Sequence, residues 1–365
     1  MKELRKVVSA DSHVIEPPEM WQEYLEKKMR PRAPHLQHGK DDDFYCIDGL
    51  EPFKVTVLSA AGVPADVVKH WRRWDVPGRL KGGWDPIARE KDARRDGIDA
   101  EVLYATVAMK MFSLKDQKYK HALFTAYNRW LSDFCHTNPK RFLGVAVLMT
   151  EDIKLAVKDL REASKLGLRG AMLGLTPSDD ITYAHPVFDP LWAAAQELNM
   201  PLSLHNFTQS RATIKRSRFE QFPSAPADVQ GCISAMIYAD VFERFPKLKI
   251  VSVENDIGWA ANYLQRLDHV FGRYSIILGK TFKSGRLPSQ IFRDHIHLTF
   301  MDDMAGICTY HLIGADNIMW ANDYPHGDST FPHSAEAIKR QFTEMNKADR
   351  RKILKDNVLK LYDWR

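Results

Sequence analysis

The chain has 365 residues, of which 44% are hydrophobic and 27% are charged, and this ordinary globular composition excludes a wholly disordered protein. The formal net charge is only +5 and no long basic run concentrates it, so we expect no nucleic acid partner. The sequence contains neither a secretory signal nor a stretch of about 18 uncharged apolar residues, and we therefore expect a cytoplasmic protein with no membrane partner.

Short apolar segments with the character of strands recur along the chain and alternate with amphipathic segments of helix length. Eight segments of this kind occur, at residues 6–10, 100–106, 143–149, 170–175, 202–205, 250–254, 297–300 and 318–321. The alternation is typical of a parallel sheet built from βα units. Eight units predict an α/β fold of the (β/α)8 TIM barrel type, with residues 1–365 as a single domain.

Helical segments between these strands are marked by their periodicity. Within residues 188–198, the side chains of Leu191, Ala195 and Leu198 fall on one face of a helix. Prolines stand just before several predicted strands, where they end the preceding helix. Residues 346–362 also carry apolar side chains at near-helical spacing, and we predict that this segment closes the structure.

Residues 15–86 interrupt the repeat between the first and the second predicted strand. This stretch is rich in proline, glycine and charged residues, and it contains Trp71, Trp74 and Trp84. Disordered segments are poor in tryptophan, so we predict a folded lid inserted after strand 1, over the mouth of the barrel. A subdomain that serves only for packing is the alternative interpretation.

Polar residues stand at the ends of four predicted strands. Asp11 and His13 follow the first strand and, two positions apart, project to the same side of an extended chain. His205 ends the fifth strand, Glu254 ends the sixth and Asp323 follows the eighth. The active site of such a barrel forms at the carboxyl ends of its strands, so these five side chains are predicted metal ligands. Helix capping and core packing are the alternative for each residue taken alone.

Several short motifs resemble those of one known family. The Asp-x-His motif at Asp11 and His13, the single His205 and the Asn-Asp-Tyr-Pro-His motif at residues 322–326 resemble the amidohydrolase-2 (amidohydrolase-related) family of the amidohydrolase superfamily. Residues 245–249 and 257–259 add to the resemblance, which extends from about residue 7 to the C-terminus.

This resemblance implies a metal-dependent barrel and, in most characterised members, hydrolysis or non-oxidative decarboxylation of aromatic and cyclic acids. Carried over position by position, it implies that the metal ligands are Asp11, His13, His205 and Asp323. It further implies that His326 lines the pocket and that the protein is a homodimer.

One position departs from the pattern of the family. Many decarboxylases and hydrolases of the group have a histidine at the end of strand 6, where this chain has Glu254. The end of strand 4, at residues 170–175, has no lysine that could be carbamylated, so a carboxylate would have to bridge two metals. The ligand set is then two histidines and three carboxylates, with Glu16 as an additional candidate.

A set of imidazoles and carboxylates suits iron or manganese at least as well as zinc. Carboxylate-rich metal pairs are the composition of di-iron proteins in other folds. Residues 9–17 resemble a branch of amidohydrolase-like barrels whose members are non-haem di-iron monooxygenases. The sequence therefore favours two irons and the O2-dependent hydroxylation or oxidative decarboxylation of an aromatic or hydrophobic carboxylic acid. Asp323, His326 and Glu254 are the candidate catalytic residues.

Two further hypotheses remain open. The first is an enzyme with one divalent metal, zinc or manganese, that hydrolyses or non-oxidatively decarboxylates an aromatic or cyclic acid. The second is a binding protein that kept the barrel and lost catalysis. Metal content would separate the three, because they require two irons, one ion and no ion per chain.

Other candidates have an ordinary structural explanation beside the functional one. His297 is an additional candidate ligand that either enters the barrel or packs within it, since His295 and His297 lie two apart in the seventh strand. Four basic residues after the fifth strand could bind a substrate carboxylate or belong to a solvated loop; they are Arg211, Lys215, Arg216 and Arg218.

Overall fold

Eleven strands occur in the computed structural model, which describes residues 6–56, 58–177, 181–208 and 218–364, the side chains of Arg218 and Gln221 excepted. In chain order the strands are β1 (Val8–His13), β2 (His35–His38), β3 (Asp43–Cys46), β4 (Phe53–Lys54), β5 (Ala100–Tyr104), β6 (Phe142–Val147), β7 (Gly170–Leu173), β8 (Leu202–His205), β9 (Ile250–Val253), β10 (Ile296–Phe300) and β11 (Ile318–Trp320).

Eight of these strands, β1 and β5 to β11, form one parallel sheet in the order in which they occur along the chain. The sheet curls so that β1 and β11 approach each other. Two backbone hydrogen bonds bridge them, from His13 N–H to the carbonyl of Tyr324 (2.7 Å) and from Asp323 N–H to the carbonyl of Asp11 (3.1 Å). The sheet is thus a nearly closed barrel, and the prediction of a (β/α)8 fold is confirmed.

The barrel strands are almost entirely buried, as expected for a parallel sheet filled by side chains inside and covered by helices outside. Seven of them lie within two residues of the predicted boundaries. The exception, β1, runs on through its polar end to His13. It does so because the hydroxyls of Ser9 and Ser12 both donate to Asn322 Oδ1, at 3.0 and 2.8 Å. The two serine hydroxyls of this polar strand end are therefore buried with hydrogen-bond partners.

Helices surround the barrel, and several begin at an aspartate whose carboxylate caps the first turn, such as Asp85, Asp116 and Asp152. The α-helices are α1 (Pro18–Tyr24), α2 (Ala65–Val68), α3 (Pro86–Asp96), α4 (Val107–Lys110), α5 (Gln117–His136), α6 (Ile153–Lys165), α7 (Asp189–Glu197), α8 (Arg218–Tyr238), α9 (Val241–Arg244), α10 (Ala260–Tyr274), α11 (Pro288–His295), α12 (Met304–Ile313), α13 (Ser334–Gln341), α14 (Lys347–Arg351) and α15 (Asn357–Leu361). None of the helices that the structure describes is long and apolar enough to cross a membrane.

The insertion after β1 is folded. Its strands β2, β3 and β4 form a small antiparallel sheet, in which the buried Tyr45 donates its hydroxyl hydrogen to the carbonyl of Glu16 at 2.9 Å. Ala61 N–H donates to the carbonyl of Pro325 at 3.1 Å, which joins the insertion to the segment after β11. The insertion is thus folded and packs at the end of the barrel where the strands terminate, whereas its extent over residues 15–86 and its action as a lid stay predictions.

A buried ion pair joins the insertion to the barrel. Arg89 of α3 binds both carboxylate oxygens of Glu101 of β5 at 2.9 Å, and both residues are at most 1% exposed. The same guanidinium donates to the carbonyls of His13 (2.6 Å) and Gly82 (3.2 Å). One side chain therefore fixes α3, the inserted segment and the end of β1 relative to one another.

The variant Arg89→Met is expected to lower the free energy of unfolding by about 3–5 kcal/mol, because it leaves the Glu101 carboxylate buried without a partner. Urea denaturation followed by circular dichroism measures the loss. The matched control is Arg161→Met, since Arg161 pairs with Glu197 on the surface, where a salt bridge contributes less than about 1 kcal/mol. Equal losses in the two variants would contradict this interpretation.

Candidate metal centre

The ends of β1 and β8 and the segment after β11 bring four predicted ligands together. The Nε2 atom of His13 lies 3.4 Å from Asp11 Oδ1 and 3.3 Å from Asp323 Oδ1. The Nε2 atom of His205 lies 3.7 Å from Asp11 Oδ1. All four side chains are buried. Residues separated by more than three hundred positions in the sequence thus point their nitrogen and oxygen atoms at one place.

Main-chain carbonyls orient both histidines. The Nδ1 atom of His13 lies 2.7 Å from the carbonyl oxygen of Ala105, and the Nδ1 atom of His205 lies 2.9 Å from that of Asn206. A carbonyl oxygen can only accept, so Nδ1 carries the hydrogen in both rings. The lone pair is then on Nε2, which faces the cluster, and this is the state in which a histidine binds a metal.

Three atoms of the cluster are buried and have no hydrogen-bond partner within the described part of the chain: Asp11 Oδ1, His13 Nε2 and His205 Nε2. Buried polar atoms are nearly always paired, and three unpaired acceptors in one place require a common partner. A divalent cation is a partner that imidazole nitrogen and carboxylate oxygen bind together, as in sites for zinc, manganese and iron. The residues present therefore fit a metal ion.

The charges of the cluster point to the same conclusion. Burial raises the pKa of Asp323 well above its usual range, and the nearby charge of Asp11 adds to that effect. Burial likewise raises the pKa of Glu254, and the charge of Asp323 contributes. Burial opposes the ionisation of Asp11, but its contacts with His13 and His205 outweigh burial and lower its pKa. A positive ion would relieve the crowding of carboxylates in this buried site.

His326 lies directly beside the predicted ligands. Its ring is tilted by 33° against that of His13, with 4.1 Å between ring centres. Its Nδ1 atom lies 3.1 Å from Asp323 Oδ1, and its Nε2 atom lies 3.0 Å from Thr106 Oγ1. His326 therefore contacts Asp323 and His13, and its role as a residue that lines the pocket stays a prediction.

Glu254 lies on the other side of His205. Its Oε2 atom is 3.4 Å from His205 Nδ1, whereas the predicted ligand atom of that ring is Nε2. Glu254 also lines a cavity of about 210 Å³ together with Asp11 and Asp323. The carboxylate thus reaches the cavity and supports His205, and its role as a ligand or a catalytic residue stays a prediction.

The structure gives Glu16 a different role from the ligand role considered above. Its buried carboxylate accepts hydrogen bonds from the N–H groups of Val107 (2.8 Å) and Ala108 (3.0 Å), and the N–H of Thr106 lies 3.4 Å away. These groups form the start of α4, so Glu16 caps that helix. Its carboxylate belongs to neither of the groups of converging ligand atoms found among the described residues.

The remaining candidates lie elsewhere. His297 is the second residue of β10, near the opposite end of the barrel, where burial, Lys249 and Lys360 lower its pKa to about 3. It therefore does not reach the cluster. The side chains of the basic candidates lie outside the described residues; they are Arg211, Lys215, Arg216 and Arg218.

Two residues of the site carry no signal in the sequence. Thr106 contacts His326 but belongs to no motif, and Arg89 holds the carbonyl of His13 from a helix outside the barrel. Asn322 is part of a motif, yet its function as the acceptor for the two serine hydroxyls of β1 appears only in three dimensions. Contacts between distant segments define all three roles.

A model of the amidohydrolase family, Amidohydro_2, matches residues 65–364. The chain belongs to this family. Among curated relatives of this amidohydrolase, the gamma-resorcylate decarboxylase of Rhizobium radiobacter is 24% identical over 319 residues, which cover 83% of the chain and 93% of the relative. The 2-amino-3-carboxymuconate-6-semialdehyde decarboxylase of Dictyostelium discoideum is 26% identical over 173 residues, or 46% of each protein.

Solved structures share the fold. An amidohydrolase of Mycobacterium avium subsp. paratuberculosis superposes with a TM-score of 0.79 at 18% identity, covering 98% of this chain and 99% of that one. The 5-carboxyvanillate decarboxylase of Novosphingobium aromaticivorans, complexed with manganese, superposes with a TM-score of 0.70 at 17% identity, covering 100% and 97%. These relatives are decarboxylases or unassigned amidohydrolases, and they give no support to two irons or to a monooxygenase. They agree better with the alternative, a metal-dependent decarboxylase or hydrolase.

The variant His205→Ala is expected to weaken metal binding by more than about 100-fold, because it removes one of three converging ligand atoms. Chelator-treated protein is titrated with Mn²⁺ or Zn²⁺ in a calorimeter, and metal content is measured by mass spectrometry. His297→Ala serves as the control, since it removes a histidine of the same barrel away from the cluster. If both variants bind like the wild type, the cluster is not the metal site.

The variant Glu16→Ala separates the capping role from a ligand role. It is expected to lower the free energy of unfolding by about 1–3 kcal/mol, because backbone N–H groups of α4 lose their buried acceptor. Metal content should remain that of the wild type. The exposed Glu19→Ala is the control for stability. Loss of metal without loss of stability would restore Glu16 as a ligand.

Proposed function

We propose that this amidohydrolase is a non-oxidative decarboxylase of an aromatic carboxylic acid and that it uses one divalent metal ion per chain. The observation that carries the proposal is the convergence of three buried, unpaired acceptor atoms, on Asp11, His13 and His205, beside the carboxylate of Asp323. The names of the curated relatives support the reaction class, and the manganese of a related structure supports the type of metal.

Asp11, His13, His205 and Asp323 would hold the ion. When bound, it supplies a positive charge that orients the substrate carboxylate and draws electron density from the ring. The Ala105 and Asn206 carbonyls keep the two imidazoles in the binding tautomer, so the protein does not need to reorganise when the ion enters. The chain thus provides a rigid set of ligands.

The reaction requires a proton at a ring carbon. The bond between that carbon and the carboxylate breaks, CO2 leaves, and the electron pair that stays on the ring takes up one proton. We assign delivery of this proton to Asp323, which borders the cavity and is hydrogen-bonded to His326. His326 holds the carboxyl group and can replace its proton after each turnover.

The cavity beside the cluster suits a single aromatic ring. Its volume is about 210 Å³, and apolar side chains form part of its wall, among them Phe222, Phe300 and Met301. Acidic side chains also line the cavity; they are Asp11, Glu254, Asp256, Asp323 and Asp328. A lining of both apolar and polar side chains suits a flat ring with one polar end.

The proposal is tested with Mn²⁺-loaded protein and a panel of hydroxylated benzoic acids that includes 2,6-dihydroxybenzoate and 5-carboxyvanillate. We expect CO2 and the decarboxylated arene in equal amounts, at the same rate with and without air. Asp323→Asn should lower kcat at least about 100-fold. The surface variant Asp316→Asn is the control. Turnover that needs oxygen, or an arene that gains an oxygen atom, would overturn the proposal.

A further inference from the structure

Two partners hold the imidazole of His326, one at each nitrogen. The Nδ1 atom lies 3.1 Å from Asp323 Oδ1, and the Nε2 atom lies 3.0 Å from Thr106 Oγ1. The ring also rests against that of His13, with 4.1 Å between centres. The position of His326 is therefore defined by a hydroxyl group from β5's end on one side and by a predicted metal ligand on the other.

The partners determine where the hydrogens lie. A carboxylate oxygen accepts, so Nδ1 of His326 carries a hydrogen and donates it to Asp323. In the neutral ring Nε2 is then an acceptor, and the Thr106 hydroxyl is the donor that it faces. Were the hydrogen on Nε2 instead, the Nδ1 lone pair would face the carboxylate of Asp323. The Asp323 carboxylate thus favours the Nδ1–H tautomer, and the Thr106 hydroxyl, which can donate or accept, gives Nε2 a hydrogen-bond partner.

We propose that Thr106 is a positioning residue: its hydroxyl bonds to Nε2 of His326 and holds the ring in the orientation that presents Nδ1 to Asp323. The consequence for turnover rests on the proposed function, in which Asp323 delivers the proton. The effect on His326 itself rests on the geometry alone. Thr106 acts only through His326.

The backbone of Thr106 is itself anchored. It follows β5 by two residues, and the buried carboxylate of Glu16 accepts the N–H groups of the next two residues, Val107 (2.8 Å) and Ala108 (3.0 Å). Glu16 is fully buried, so this anchor is shielded from water. Thr106 therefore presents its hydroxyl from a fixed main chain, which is the condition for orienting a ring to within a few tenths of an ångström.

Two variants separate the hydroxyl from the shape of the side chain. Thr106→Val keeps the shape and removes the hydroxyl, whereas Thr106→Ser keeps the hydroxyl and removes the methyl group. The protein is labelled with ¹⁵N-histidine, loaded with Zn²⁺ as a diamagnetic probe and analysed by long-range ¹H–¹⁵N correlation spectra. The variant His326→Gln identifies the signals of His326.

We expect one sharp set of His326 signals, with a single tautomer, in the wild type and in Thr106→Ser, and shifted or broadened signals in Thr106→Val, where Nε2 has lost its partner and the ring its fixed orientation. With the decarboxylase substrate, kcat of Thr106→Val should fall about tenfold at unchanged KM, which corresponds to the loss of one hydrogen bond. Thr106→Ser should restore kcat to within about twofold. Zn²⁺ affinity should be the same in all three proteins, because Thr106 has no hydrogen bond to any of the four predicted ligands Asp11, His13, His205 and Asp323, and this also checks that the variants fold.

Two results would overturn the proposal. One is a Thr106→Val protein whose His326 signals match those of the wild type. The other is a Thr106→Ser protein that changes as much as Thr106→Val, since the methyl group would then be the part that matters. If the wild type decarboxylates no substrate, the proposed function fails, while the spectra still decide the role of Thr106. If Thr106→Val does not take up Zn²⁺, the spectra of Thr106→Ser decide: loss of the single tautomer there contradicts the proposal.

Discussion

The ion pair of Arg89 and Glu101 is the constraint on which the site depends. It is buried inside the contact between the insertion and the barrel, and its guanidinium also binds the carbonyl of His13 and approaches that of Tyr324 at 3.5 Å. These two carbonyls belong to the segments that carry the predicted ligands of β1 and of the segment after β11. A charge pair that touches no ligand atom thus sets the distance between the two halves of the metal site.

Main-chain atoms align the side chains of the site. Carbonyl groups select the tautomer of His13 and of His205, and N–H groups at the start of α4 hold Glu16. A main-chain hydrogen-bond partner stays in place when a nearby side chain is substituted. The geometry of the predicted metal ligands therefore depends on the backbone of the barrel more than on the neighbouring side chains. Such a site is organised before a metal ion binds, which reduces the free-energy cost of binding the ion.

The sequence predicts the barrel and the converging residues because both can be recognised from local sequence patterns. Strand periodicity, and the polar residues that follow it, can be recognised within a few positions, and this identifies Asp11, His13 and His205. The function of Glu16 could not be predicted, because its partners lie about ninety residues further along the chain. The number and type of metal ions could not be predicted either, because imidazole and carboxylate groups bind iron, manganese and zinc alike. The relatives, rather than the residue types, favour a decarboxylase over a di-iron monooxygenase.

The closure between β1 and the segment after β11 has a consequence for biosynthesis. Ser9 and Asn322 are 313 positions apart, and their hydrogen bond helps to bury the polar strand end that carries Asp11 and His13. During translation Asp11 and His13 are synthesised more than three hundred residues before Asn322, so they acquire these surroundings only when residue 322 has left the ribosome. The complete set of predicted ligands therefore cannot assemble before Asp323 has been synthesised.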